Sequence, residues 1–186
     1  MTLQDVQMGA SATALLEANT RSLVERLGNA LGHRGWTLGT AESCTGGLLA
    51  AAITSVPGAS AWFDRGFVTY SNNAKIAELA VSLDTLNHFG AVSEPVALEM
   101  ANGVLLVTPA AQVAIATTGI AGPDGATLGK PVGMVCFSFA MRVADGITSR
   151  AVTHVFSGDR CQVRQAAVDY ALKGVLEFIG MPATHR

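Results

Sequence analysis

The chain has 186 residues, 49% of them apolar and 14% charged, with a formal net charge of −2. That balance describes one folded domain able to bury a core, and it excludes a disordered chain. Lysine and arginine are sparse and scattered, so the footprint of a nucleic-acid-binding protein is missing and an anionic partner is expected to be small.

In chain order, we expect a loose tail over residues 1–12 and a single domain over residues 13–182. Leu16, Leu23, Val24, Leu27 and Leu31 fall on one face of an amphipathic helix that stops near Gly32 and Gly35. "WTLGTAE" reads as a short strand, and "GGLLAAAITSV" as a helix broken at Pro57-Gly58. "WFDRGFVTY" is rich in β-formers and predicts a strand; Ser71 or Asn72 then caps the helix in "NNAKIAELAV". Ser93, with Glu94 and Pro95 after it, opens the helix "SEPVALEMANGVLL".

"AQVAIATTGIAG" predicts a buried strand entering a glycine loop. "VGMVCFSFAM" and "GITSRAVTHVF" predict two more, paired antiparallel across Asp145-Gly146. Asp159 and Gln162 form a capping box for a last helix with the stripe Val163, Ala167, Tyr170, Gly174 and Phe178. The order α-β-α-β-α-α-β-β-β-α implies an α/β fold: a three-layer α/β/α sandwich on a mixed, mostly parallel five-stranded sheet.

Cys44, Cys136 and Cys161 have no paired spacing, which fits reduced thiols better than disulfides or zinc. The N-terminus lacks the pattern of a signal peptide, and no apolar run reaches the ~20 residues of a membrane span. A cytoplasmic protein without membrane association is expected.

The chemistry concentrates in "TAESCTGGLL". A strand turning through two glycines into a helix leaves backbone N–H groups that could face a phosphate or the oxyanion of an attacked carbonyl. The stretch lacks the P-loop pattern and is not G-x-S-x-G. Ser43 is a candidate nucleophile, with Cys44 its rival. Residues after successive parallel strands share one crevice, so Tyr70 and Lys75 in "TYSNNAK" could meet Ser43. A lysine base must lose its proton, and moving its pKa from about 10.4 to near 7 takes roughly 4–5 kcal/mol. Plain structural roles compete at each position: a helix cap for the glycine string, a solvated charge for Lys75, a packed ring for Tyr70.

A second glycine region, "TTGIAGPDGATLGKPVG", offers Thr118, Gly119, Gly122 and Lys130 as a possible pocket wall, or an ordinary turn. Arg160 and Arg164 lie in the first turns of the last helix. There a cation opposes the helix dipole unless it is solvated or near an anion.

"TAESCTGGLLAAAITSVPGASAWFDRGFVTYSNNAK", "GAVSEPVALEMANG" and "TTGIAGPDGATLGKPVGMV" together resemble the CinA C-terminal domain family over nearly the whole chain. The resemblance implies deamidation of nicotinamide mononucleotide (NMN) to nicotinate mononucleotide and ammonia, by a serine amidase-like site with no metal and no cofactor. It casts Ser43 as nucleophile, Lys75 as base and Tyr70 as a hydrogen-bonding relay. Cys44, Thr45, Gly46, Gly47, Thr118, Gly119, Gly122, Lys130 and Arg160 are then the candidate oxyanion and substrate contacts. The chain departs from the family pattern at Ala80, where glycine is usual, and in "PDGATLGKP", where a double glycine is common. The alternatives are a silent nucleotide-binding module associated with competence or recombination, and an amidase for another small amide. The apolar composition suggests self-association, most simply a two-fold dimer.

Overall fold

The structure is a computed structural model describing residues 3–180, with side chains from residue 18 onward. Its elements are α1 (Leu3–Gly32), β1 (Leu38–Glu42), α2 (Leu48–Thr54), a single 3-10 turn (Ala59–Ala61), β2 (Phe63–Val68) and α3 (Asn72–Leu79). There follow α4 (Leu83–Phe89), α5 (Glu94–Val107), β3 (Val113–Gly119), β4 (Met134–Val143), β5 (Gly146–Val155) and α6 (Arg160–Gly180). The boundary expected at residue 12 and the stripe position Leu16 lie outside the described side chains. Leu23, Val24, Leu27 and Leu31 are all buried.

The sheet runs β2-β1-β3-β4-β5, with β1 parallel to both β2 and β3, and β4 antiparallel to β3 and β5. Alternation along the strands sorts side chains by size onto its two faces. Leu38, Val113, Ile115, Val135, Phe137 and Phe139 join the core shared with α1, α2 and α6. Ala41, Ala114, Ala116 and Ala140 face the core shared with α5. Small residues let α5 approach closely: a Cβ on Gly39 would lie 2.6 Å from Val104 Cγ1. On the other face, a Cβ on Gly174 of α6 would meet the Phe139 ring at 2.2 Å. Buried Asp169 of α6 accepts hydrogen bonds from Asn19 Nδ2 (2.9 Å) and Thr20 Oγ1 (2.6 Å), tying α1 to α6.

The caps follow the sequence. Ser71 Oγ accepts from Ala74 N at 3.1 Å, and the Asp159–Gln162 box closes through reciprocal bonds of 2.8 and 2.9 Å. Helix α4 was not foreseen. Its seven residues are too few for a readable apolar period, and it rests on the Ser82 cap and one buried side chain, Leu86.

Ala80, the C-cap of α3, sits in the left-handed region at φ 55° with its side chain exposed. Alanine pays about 1–2 kcal/mol there that glycine does not, and glycine returns about 0.4–1 kcal/mol through its freer unfolded chain. Ala80→Gly is therefore expected to stabilise the fold by about 0.5 kcal/mol, raising Tm by ~1–2 °C. A calorimetric scan showing a lower Tm would contradict this.

Candidate active site

The C-terminal ends of β1, β2 and β3 lie side by side, and the site grows from that edge. The Ser43 N–H donates to Thr117 O at 2.9 Å, extending the β1–β3 pairing one residue past β1. The chain then turns, with Gly46 N–H donating to Ser43 O at 3.0 Å, and it passes Gly46 (φ 58°) and Gly47 (φ 91°) in conformations glycine adopts cheaply. Three ties hold this turn. Fully buried Glu42 accepts the N–H groups of Gly47 (2.9 Å), Leu49 (3.0 Å) and Ala50 (2.8 Å). Thr45 Oγ1 and Thr117 Oγ1 are 2.8 Å apart, and Arg164 Nη2 donates to Thr45 O at 2.7 Å.

Glu42 corrects one expectation. The amides of Gly46 and Gly47 are already engaged, by Ser43 O and by Glu42, so the mouth of α2 is filled by the protein's own carboxyl group. Among the described residues, Cys44 N–H and Thr45 N–H take part in none of the strand, turn or cap hydrogen bonds. Both lie where they would favour a negative charge at the Cys44 sulfur.

Lys75 enters from the first turn of α3 and is 1% exposed. Its Nζ donates to Thr69 O at 2.7 Å and to Ser43 Oγ at 3.0 Å. Among the described residues no carboxylate forms an ion pair with it. Burial lowers its pKa from the ordinary lysine range, and a thiolate at Cys44 would act the other way. A neutral amine held by Thr69 O can turn its lone pair to the Ser43 hydroxyl. Burial pushes the Cys44 thiol up to about 12, so it stays protonated, which weighs against the rival nucleophile.

The lowered Lys75 pKa fixes two signs. An enzyme needing neutral Lys75 gains kcat/KM as pH rises through the folded pKa, on a limb below the usual ~10.4 of lysine. The unfolded chain binds the extra proton between the folded pKa and ~10.4, so stability also rises with pH in that window. In a pH series of urea unfolding curves, Lys75→Met is expected to lose this rise; an unchanged slope would count against a depressed lysine.

The other candidates spread around this pair. Tyr70 is exposed, and its hydroxyl accepts from Arg160 Nη2 at 2.9 Å rather than bonding Ser43 or Lys75. Arg160 Nη1 also donates to Gly122 O at 2.9 Å, bridging α6 to the loop after β3. Thr118 Oγ1 donates to Ala91 O at 2.8 Å, and Lys130 Nζ donates to Phe89 O, so both tie the β3 loops to the segment before α5. Gly119 packs on β4, where a Cβ would lie 2.6 Å from Met134 O. Sequence reasoning missed the roles of Glu42, Thr69 and Thr117. A cavity of about 500 Å³ between the end of β5 and α6 is lined by Phe156, Gln165, Asp169 and Tyr170 among others and includes neither Ser43 nor Lys75. Among the described residues no cluster of His, Cys, Asp and Glu could hold a metal ion, and no helix is long and apolar enough to cross a membrane.

Residues 20–179 match the CinA C-terminal domain family. The chain is 51% identical over 159 residues to the nicotinamide-nucleotide amidohydrolase PncC of Escherichia coli K12, covering 86% of this chain and 94% of that one. It is also 51% identical to the PncC of Enterobacter agglomerans over 164 residues, covering 88% and 98%. The crystal structure of the competence damage-inducible protein A from Klebsiella pneumoniae superposes with a TM-score of 0.80 at 41% identity, covering 85% of this chain and 95% of that one.

Proposed function

The chain belongs to the CinA C-terminal domain family, and we propose that it hydrolyses the carboxamide of NMN to nicotinate mononucleotide and ammonia, with Ser43 as nucleophile and Lys75 as base. One observation carries the catalytic part: a buried lysine with no ion-pair partner among the described residues, its Nζ 3.0 Å from Ser43 Oγ. Identity to relatives named nicotinamide-nucleotide amidohydrolase over nearly their full length supports the substrate. The setting would be the cytoplasm.

In this reading, Ser43 Oγ attacks the amide carbon while its proton passes to Lys75 Nζ. The carbonyl oxygen becomes an oxyanion, for which the Cys44 and Thr45 amides, without backbone partners, would be the donors once turned from the Cys44 sulfur. The C–N bond breaks, Lys75 returns the proton to the departing nitrogen, and ammonia leaves an ester on Ser43. Water then attacks that ester, giving its proton to Lys75. Ser43 recovers the proton as the acid is released, so the enzyme returns unchanged.

The pyridinium of NMN withdraws electrons from the amide carbon and disfavours a charged Lys75 beside it. Tyr70 is left with Arg160 at the rim, a substrate contact rather than a relay. The purified protein is expected to release ammonia from NMN and only weakly from free nicotinamide, which lacks both the cation and the phosphate. Equal rates on the two would point to a general small-amide hydrolase. Tight binding of NMN with no turnover would favour a silent nucleotide-binding module.

A further inference from the structure

We propose that Arg164 is a positioning residue whose charge strengthens the oxyanion donor at Cys44 through two peptide groups in series, an inference that rests on the amidase reading above. Arg164 lies in the second turn of α6, where a cation opposes the helix dipole. Its guanidinium turns away from solvent to the nucleophile turn: Nη2 donates to Thr45 O at 2.7 Å, and a Cβ on Gly46 would lie 3.4 Å from the same nitrogen. Its Nε is buried with no hydrogen-bond partner, a cost that a merely solvated arginine would not bear.

The carbonyl it holds shares a peptide with Gly46 N–H. That N–H donates to Ser43 O at 3.0 Å, and Ser43 C=O shares its peptide with Cys44 N–H. A cation bonded at the first carbonyl therefore polarises each group in turn and ends on the Cys44 amide, which has no backbone partner, lies near the Cys44 sulfur and directly follows the nucleophile in the chain. Gly46 fits this arrangement: its positive φ makes the turn, and its missing side chain leaves room for the guanidinium.

Arg164→Met and Arg164→Lys are to be compared with the wild-type protein on NMN and on its phosphate-free riboside. Loss of polarisation at an oxyanion donor that itself stays in place predicts kcat down about 2–5-fold for Met and less for Lys, with KM essentially unchanged and the same factor on both substrates. The pH limb set by Lys75 stays in place. An unchanged kcat overturns the proposal. So does a defect confined to KM on NMN and absent with the riboside, which would make Arg164 a phosphate contact. If Met at this position prevents folding, the Lys variant decides. A second readout is independent of turnover: the Cys44 amide proton in NMR moves upfield in the variants. If the wild-type protein leaves NMN intact, the function fails, and the amide shift still tests the relay; an unmoved shift overturns it.

Discussion

Ser43→Ala is expected to lower kcat for ammonia release from NMN by about 10³-fold or more, with Tm essentially unchanged. Ser43 is half-buried, and among the described residues its hydroxyl hydrogen-bonds only Lys75. Its removal therefore deletes the nucleophile and leaves the backbone turn, held by Glu42, Thr117 and Arg164, in place. Lys75→Met should cost a similar factor, since a serine at its own pKa is a poor nucleophile. The double variant should be scarcely worse than either single one, because the two act as a unit. Cys44→Ala is expected to stay within about tenfold of wild type, its thiol being protonated and buried. Stopped assays of ammonia at saturating NMN give these ratios. Full activity in the Ser43 variant, or loss in the Cys44 variant alone, would move the nucleophile to another atom.

Glu42→Ala is expected to destabilise the fold by about 3–5 kcal/mol. Three N–H groups at the start of α2 lose their acceptor together, at about 1–3 kcal/mol for each one left unpaired, less where water reaches it. With typical domains stable by 5–15 kcal/mol, that is a large share. Glu42→Gln keeps one oxygen to accept but turns an NH₂ towards donors, so it should fall between the two, by about 1–2 kcal/mol. Urea unfolding at neutral pH measures both. If Ala and Gln prove equally mild, the Glu42 bonds are not what holds the turn. Loss of activity should track loss of the turn, since Ser43 follows Glu42 directly.

The sandwich was legible because β1, β3 and β4 are apolar enough to be buried on both faces, and because Ser71, Ser93 and the Asp159–Gln162 box mark helix starts by local chemistry. The convergence of residues 43 and 75 followed from strand order alone, since parallel neighbours put their following loops on one edge. What stayed hidden depends on burial, which spacing does not report. Lys75 on a first helical turn reads as a solvated charge until the ends of β1 and β2 close over it. Glu42 reads as part of a polar cluster until α2 folds back onto its side chain. Tyr70 is one residue past Thr69, yet the chain leaves the sheet there and sends its ring outward to Arg160 rather than inward to Lys75. The family resemblance supplied a role for Tyr70 that this geometry does not support as a direct bond.

The protonation of Lys75 can be read directly by NMR, following its Cε and Nζ shifts as pH rises. Lys75 should lose its proton below the ordinary lysine range of ~10.4. Replacing Ser43 by alanine should perturb its resonance alone. Were Lys75 to titrate in the ordinary lysine range, near ~10.4, it could not serve as the base for Ser43.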